Sequence, residues 1–312
     1  MDPQRHGSAL RNAPRRTCGS VSGKHRTLVR PWLSPEPSGW WNVVDDAIQE
    51  DVGFGDVTAP CIDPDQTSEW FIEAQADGVL CGMGIVDHLL GPTGNDPDEA
   101  AVTILMADGS AVKRGDRVAQ GLQSTLRVLS MERTALNFTM HLSGVATLTR
   151  AFVERVQGTE ARIADTRKTL PGLRSLQKYA VRCGGGCNHR MGLFDGAMIK
   201  DNHIRASGDI AEAVRRVRAV ASHMTKIEVE CESIEQVEEA VDAGADIVLL
   251  DNMDPFMMRE AVTKFAGACV FEASGGITLD TVKGVAKTGV DYISVGALTH
   301  SAPALPFHLE LS

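Results

Sequence analysis

Residues 165–204 read DTRKTLPGLRSLQKYAVRCGGGCNHRMGLFDGAMIKDNHI and carry Arg167, Lys168, Arg174, Lys178, Arg182, Arg190 and Lys200 against Asp165, Asp195 and Asp201. This cationic surplus stands in a chain whose formal net charge is −10. Gly184, Gly185 and Gly186 interrupt it, and a glycine run permits close backbone approach and positive φ. Together these features describe a pocket for a small molecule with several negative charges. His189 and Arg190 read as donors to a ligand carboxylate, Arg190 through its bidentate fork. Cys183, Cys187 and His189 have C-x3-C-x-H spacing without a second pair, so zinc is not expected there. His203 reads as a structural hydrogen-bonding residue.

Acids of the right kind lie further on. The segment IEVEC puts Glu228 and Glu230 on one side of a strand, with Val229 and Cys231 on the other. The following strand ends in Asp251. Carboxylates at neighbouring strand ends, Glu230 and Asp251, suit Mg²⁺, which commonly takes one or two protein carboxylates plus substrate phosphate oxygens. The structural alternative for either acid is an ion pair at a strand end. Two loops, EASGGI (272–277) and SVGALTH (294–300), supply backbone N–H groups of the kind that bind phosphate ahead of a helix. Ser274, Gly275, Gly276 and Gly296 are their candidate anion-binding residues, and an ordinary strand-to-helix turn is the alternative.

These residues need elements to hold them. Strands are expected at 161–164, 197–200, 226–231, 246–250, 269–273 and 291–295, with helices near 172–182, 207–223, 233–243, 255–266 and 278–288. Strict alternation of this kind predicts parallel strands with crossover helices. Polar residues recur at the strand ends, which favours a barrel over an open sheet, because a barrel's carboxyl-end loops converge on one site. Upstream, a helix over 40–49, a helix over 84–90 and extended segments at 69–75, 101–107, 117–120 and 124–129 predict a smaller α+β portion. From Met131 the pattern is helical, with Ser143-Gly144 as a candidate break.

Composition sets the bounds. A hydrophobic share of 43% and a charged share of 23% are those of a folded globular protein. The acidic balance argues against general nucleic-acid binding. No apolar run reaches the roughly 18 residues of a membrane-spanning helix. Seven scattered cysteines fit a reducing compartment, taken as the cytoplasm, better than a disulfide framework. Residues 1–38 differ from the rest, with seven Lys or Arg, two acids and no apolar periodicity. They read as a disordered extension, with an Arg- and Ser-rich organelle-targeting segment as the alternative.

The letters also resemble a known family. ERTALN (132–137), LSGVATLT (142–149), DTRKTLPGLR (165–174), KYAVRCGGGCNHRMGLFDGAMIKDNHI (178–204), IEVE (227–230), LLDN (249–252), SGGI (274–277) and DYISVGALTHS (291–301) look like quinolinate phosphoribosyltransferase, the carboxylating nicotinate-nucleotide pyrophosphorylase of NAD biosynthesis. The resemblance runs in order from about residue 40 to 302 and includes GDVT at 55–58. It implies an open six-stranded, TIM-like α/β barrel over 142–298 and an α+β sandwich over 39–141, to which 299–312 can return. It also implies a homodimer. Arg167, Lys168, His189, Arg190 and Lys200 would hold quinolinate, Arg133 would come from the neighbouring subunit, and Lys168, Lys200, Glu230 and Asp251 would act in catalysis. Glu230 and Asp251 would meet Mg²⁺ and phosphoribosyl pyrophosphate, with phosphate at Ser274, Gly275, Gly276 and Gly296. Lys200 or a water would protonate C2 after decarboxylation.

The rival readings are a related phosphoribosyltransferase that uses nicotinate without decarboxylation and the homologue associated with molybdate transport. An inactive binding barrel is a third. The surplus of cations favours a dicarboxylate over nicotinate. The intact IKDNH segment argues against the molybdate-associated protein, and the complete cation and acid set argues against inactivity.

Overall fold

The computed structural model describes residues 40–92 and 101–312; the expectations for residues 1–38 lie outside them. α1 (Trp40–Val52) opens this part, followed by β1 (Thr67–Ala74), β2 (Gly78–Val79), α2 (Met83–Leu90), β3 (Ala101–Ile104), β4 (Ala111–Val112) and β5 (Arg117–Ser124). β3 and β1 flank β5 in one antiparallel sheet, while β2 and β4 pair separately. Asp108 explains where α2 begins. Its Oδ1 accepts the backbone N–H of Gly82 and of Met83, each at 3.0 Å, donors that a helix start leaves unpaired.

α3 (Thr125–Arg155) follows β5 without a loop and runs for 31 residues. The strand expected at 124–129 is therefore wrong beyond Ser124. From Thr125 the buried positions Val128, Ala135, Leu142, Val145, Thr149 and Phe152 follow at spacings of three, four or seven, the helical period. The break expected at Ser143-Gly144 is also absent, because these small residues admit close neighbours instead. Ser143 Oγ accepts Cys81 N–H at 2.9 Å and donates to Cys81 O at 3.1 Å. A Cβ on Gly144 would stand 2.1 Å from the Pro303 carbonyl oxygen. Residues 141 and 142, the expected domain boundary, sit within this continuous helix.

The parallel half follows as β6 (Arg162–Ala164), α4 (Arg174–Cys183), β7 (Ala197–Ile199), α5 (Asp201–Ser207), α6 (Ile210–Val220), β8 (Ile227–Cys231), α7 (Ile234–Asp242), β9 (Ile247–Asp251), α8 (Pro255–Lys264), β10 (Val270–Ser274), α9 (Val282–Ala286), β11 (Tyr292–Ser294) and α10 (Ala297–His300). Its sheet order is β6-β11-β10-β9-β8-β7, so the first strand lies beside the last. Side-chain caps mark three helix starts: Asp209 accepts from Glu212 N, Ser233 from Gln236 N, and Asp254 from Phe256 N and Met257 N. α5 had no sequence expectation, and α9 is shorter than the expected 278–288. β12 (Phe307–Leu311) returns to pair antiparallel with β1, completing a four-stranded sheet.

Alternation across the parallel strands separates two faces. Val229 and Cys231 are buried, as are Val248, Leu250, Phe271 and Ala273. The other face carries Glu228 and Glu230 on β8, Leu249 and Asp251 on β9, and Glu272 and Ser274 on β10, with Glu230 opposite Leu249 and Asp251 opposite Ser274. Period two thus delivers a polar face to the carboxyl ends of the strands.

Candidate active site

A cavity of about 270 Å³ lies at those carboxyl ends. Arg167, Lys168, His189, Arg190, Lys200, Glu230, Asp251 and Ser274 all line it. Arg133 does not: it sits on α3 with 61% of its side chain exposed. Gly296 borders the cavity through Lys168, whose Cδ would lie 3.0 Å from a Cβ added there. Gly275 has φ +95°, and a Cβ on it would strike Asn252 Oδ1 at 2.2 Å. Only glycine fits that left-handed, crowded turn. Gly276 follows with φ +58°.

The cationic segment divides into ligand-facing and structural members. Lys178 and Asp165 form a fully buried ion pair. Burial pushes the Asp165 carboxyl up and the Lys178 ammonium down, and each charge opposes the other's shift. The pair fastens the loop after α4: Lys178 Nζ donates to His189 O at 2.9 Å, and Asp165 Oδ1 accepts His189 N–H at 3.0 Å. Arg174 donates to Thr169 Oγ1 at 3.0 Å and to Met191 O at 3.2 Å, and Arg182 donates to Asn188 Oδ1 at 3.3 Å. These three cations hold the loop, and none of them lines the cavity.

Arg167 and Arg190 line the cavity. The Nε of each is buried without a hydrogen-bond partner, a costly arrangement unless a ligand supplies an acceptor. Burial first, and the Arg167 charge second, lower the pKa of Arg190, which stays charged as guanidinium does in proteins. Arg190 Nη1 donates to Gly196 O at 3.0 Å, which fixes the side chain.

Lys168 is held from behind by a network the sequence did not reveal. Thr299 Oγ1 donates to Lys168 O at 2.8 Å. Gln177, fully buried, accepts Leu170 N–H at 2.9 Å, donates to Thr299 O at 2.7 Å and meets His141 Nε2 at 2.9 Å. Loop, α10 and α3 are thereby joined behind one lysine.

Lys200 Nζ donates to Glu230 Oε2. Glu230 and Asp251 occupy the ends of adjacent parallel strands in the same cavity. Glu230 Oε2 is thus engaged by Lys200, and Asp251 Oδ2 accepts from Asn252 Nδ2 at 2.7 Å, so the second oxygen of each carboxylate is the hard donor that suits Mg²⁺. His203 serves its expected structural role: its Nδ1 accepts Lys200 N–H at 3.0 Å and caps α5. Cys183 and Cys187 do not gather with His189; Cys183 lies near Cys81 and Asp108 instead.

Two expectations need correction. The loop after Ser274 does not lead directly into a helix, since α9 starts only at Val282. The loop at Gly296 does, through the four-residue α10. The second correction concerns His189, which was expected to donate to a ligand carboxylate. Its Nδ1 accepts Arg190 N–H at 2.7 Å and its Nε2 faces Glu228 Oε2 at 3.1 Å, so protein groups engage both nitrogens. The sequence reading also passed over Glu272. Its signal was the alternation in VFEAS, which puts Glu272 on the same side as Ser274.

A family model described as quinolinate phosphoribosyl transferase, C-terminal domain, matches residues 145–310, and its N-terminal counterpart matches residues 56–143. The probable nicotinate-nucleotide pyrophosphorylase (carboxylating) of Bacillus subtilis (strain 168) is 44% identical over 264 residues, covering 84% of this chain and 90% of its own. Quinolinate phosphoribosyltransferase (decarboxylating) 2b, mitochondrial, of Nicotiana tabacum is 38% identical over 285 residues, covering 85% of this chain and 80% of its own. The solved nicotinate-nucleotide pyrophosphorylase of Francisella tularensis superposes with a TM-score of 0.82 at 37% identity, covering 88% of this chain and 96% of that one. With both halves matched and the cations, acids and glycines of the motifs in one region, the chain belongs to the quinolinate phosphoribosyltransferase family.

Proposed function

We propose that this protein transfers the phosphoribosyl group of phosphoribosyl pyrophosphate to the ring nitrogen of quinolinate and releases one carboxylate as CO2, giving nicotinate mononucleotide and pyrophosphate. Family membership supports the reaction. The observation that carries it to this cavity is the pair of buried, unpartnered guanidinium nitrogens of Arg167 and Arg190 beside Lys168 and Lys200. That set suits two carboxylates rather than one.

In this reading Arg167, Lys168, Arg190 and Lys200 orient quinolinate, with His189 forming wall rather than donor. Orientation of two bound reactants is itself a large part of the barrier. The pyridine nitrogen attacks ribose C1 as the C1–O bond to pyrophosphate breaks, and nearby cations compensate the departing charge. Glu230 and Asp251 would hold Mg²⁺, which would supply charge neutralisation at the phosphate oxygens. The backbone at Ser274, Gly275, Gly276 and Gly296 receives phosphate. N-ribosylation makes the ring a pyridinium. The C2–carboxylate bond then breaks with its electron pair left on C2, beside the positive nitrogen, and a proton from Lys200 or water completes the product.

The finer architecture follows the same reading. We infer that the six-stranded sheet is an open barrel, supported by the β6–β11 pairing and by the isolated parallel bridge between Ala164 and Cys187 on the other edge of β6. We infer a homodimer in which Arg133 reaches the partner's site, supported by its exposure on α3 away from its own cavity. Six described cysteines are unpaired thiols, which supports a reducing, cytoplasmic setting. No helix of the described residues is long and apolar enough to cross a membrane.

The test is release of labelled CO2 from carboxyl-labelled quinolinate with purified protein, phosphoribosyl pyrophosphate and Mg²⁺. Release that requires both substrates and accompanies nicotinate mononucleotide is expected. Folded protein that releases none would overturn the proposal.

A further inference from the structure

Beneath the cavity, His189, Glu228 and Glu272 bring one nitrogen and two carboxylate oxygens within 4.8 Å of one another. Such a set resembles a metal centre, but the histidine's hydrogen bonding argues otherwise. Nδ1 accepts Arg190 N–H at 2.7 Å, which leaves the ring proton of a neutral histidine on Nε2. A metal-bound histidine offers its bare nitrogen to the ion and donates from the other; here the arrangement is reversed. Nε2–H therefore points at Glu228 Oε2, 3.1 Å away, with Glu272 Oε1 at 3.5 Å.

We propose that Glu228 is a positioning residue for the reaction, fixing His189 in its Nε2–H tautomer so that the ring can hold the Arg190 backbone at the substrate cavity. This rests on the function proposed above. The chain of contacts is continuous. Glu228, the second residue of β8, is 3% exposed, and its neighbours Ile227 and Val229 are both fully buried. The His189 backbone is fixed at both ends, its N–H by Asp165 and its carbonyl by Lys178. The remaining freedom of the ring is removed by Glu228 at Nε2. The ring then sets Arg190, whose guanidinium is tied to Gly196 O and whose Nε awaits an acceptor. Without an acceptor at position 228, Nε2 would keep only the more distant Glu272 Oε1 at 3.5 Å, and the ring could take the Nδ1–H tautomer. That tautomer sets two N–H groups, of His189 and Arg190, against each other at hydrogen-bond distance.

Two variants separate this role from mere charge or packing. Glu228→Met removes the acceptor at similar size. Glu228→Gln removes the charge but keeps a carbonyl oxygen that can accept from Nε2–H. The expected result for Glu228→Met is a rise in KM for quinolinate of roughly tenfold to a hundredfold, the scale of a misplaced binding group, with KM for phosphoribosyl pyrophosphate within about twofold of wild type. Glu228→Gln should restore most of the quinolinate affinity. Equal damage by both variants, or equal loss for both substrates, would overturn the proposal. Long-range ¹H–¹⁵N correlation spectra of the wild-type protein provide a measurement independent of turnover. His189, assigned by its loss in His189→Gln, should show the Nε2–H tautomer at neutral pH. An Nδ1–H or doubly protonated ring would overturn the proposal even if the CO2 assay succeeds. The Nε2–H signature would uphold its tautomer step even if that assay fails.

Discussion

The two ends of the parallel strands use charge in opposite ways. At their first residues the charges satisfy one another. Asp246 accepts Arg218 at 3.1 Å, Lys226 at 3.2 Å and the Ile227 N–H at 2.9 Å. Asp291 accepts Phe271 N–H at 2.8 Å, and Arg162 lies 5.6 Å over the Tyr292 ring. At the last residues, buried guanidinium nitrogens of Arg167 and Arg190 lack a partner. Cavity size points the wrong way: the space lined by the first residues of the strands, which His189, Arg190, Glu228 and Glu272 also border, is about 670 Å³, against about 270 Å³ at the carboxyl end. Cavity-lining guanidinium nitrogens that are buried without an acceptor, rather than volume, mark the site. The division matches the rule that ligands bind beyond the carboxyl ends of parallel strands.

The comparison can be broken by substitution. The largest effect should come from a cation that belongs to neither mouth. Lys178→Met leaves Asp165 as an unpaired buried charge and should cost about 3–5 kcal/mol of stability, read by urea unfolding. A loss near zero would mean the pair does not anchor the loop. Lys168→Ala should lower kcat/KM by a factor of about 10² to 10³, as for removal of an electrostatic group at a reacting centre, with the unfolding midpoint nearly unchanged. A matching loss of stability would make Lys168 structural and blur the two ends.

Smaller effects should separate support from contact. Gln177→Leu keeps volume but cuts the links to Leu170, Thr299 and His141; a fall in kcat/KM of roughly tenfold is expected from the displaced Lys168 loop. An unchanged rate would show that Thr299 alone suffices. Asp246→Asn should cost only about 1 kcal/mol, the scale of a hydrogen bond, and leave turnover unchanged. Burial raises the Asp246 pKa, but the Ile227 N–H, Lys226 and Arg218 outweigh it, so the net shift is downward. A carboxyl held low contributes stability above its unfolded pKa of about 3.9, and that contribution disappears as pH falls through the folded value. The gap between wild type and Asp246→Asn should therefore close below about pH 4 in unfolding titrations. A gap that persists there would mean the charge is not the source.

Much was determined by the sequence alone. Six strands in their places, the parallel alternation, and Arg167, Lys168, Arg190, Lys200, Glu230, Asp251 and Ser274 as residues that line one cavity were all legible, because period-two alternation is local and the carboxyl ends of parallel strands lie on one side of their sheet. The errors came where a local signal had a distant cause. Ser143 and Gly144 look like a helix break, but their smallness answers Cys81 and Pro303, which approach from far along the chain. Lys178 looks like Arg190 in the sequence; only the tertiary structure gave one a buried carboxylate partner and left the other facing a cavity. His189 was taken as a donor because its type allows it. Only the fold set Glu228 and the Arg190 N–H on its two nitrogens, since hydrogen-bond partners are assigned by proximity in space, which spacing along the chain does not encode.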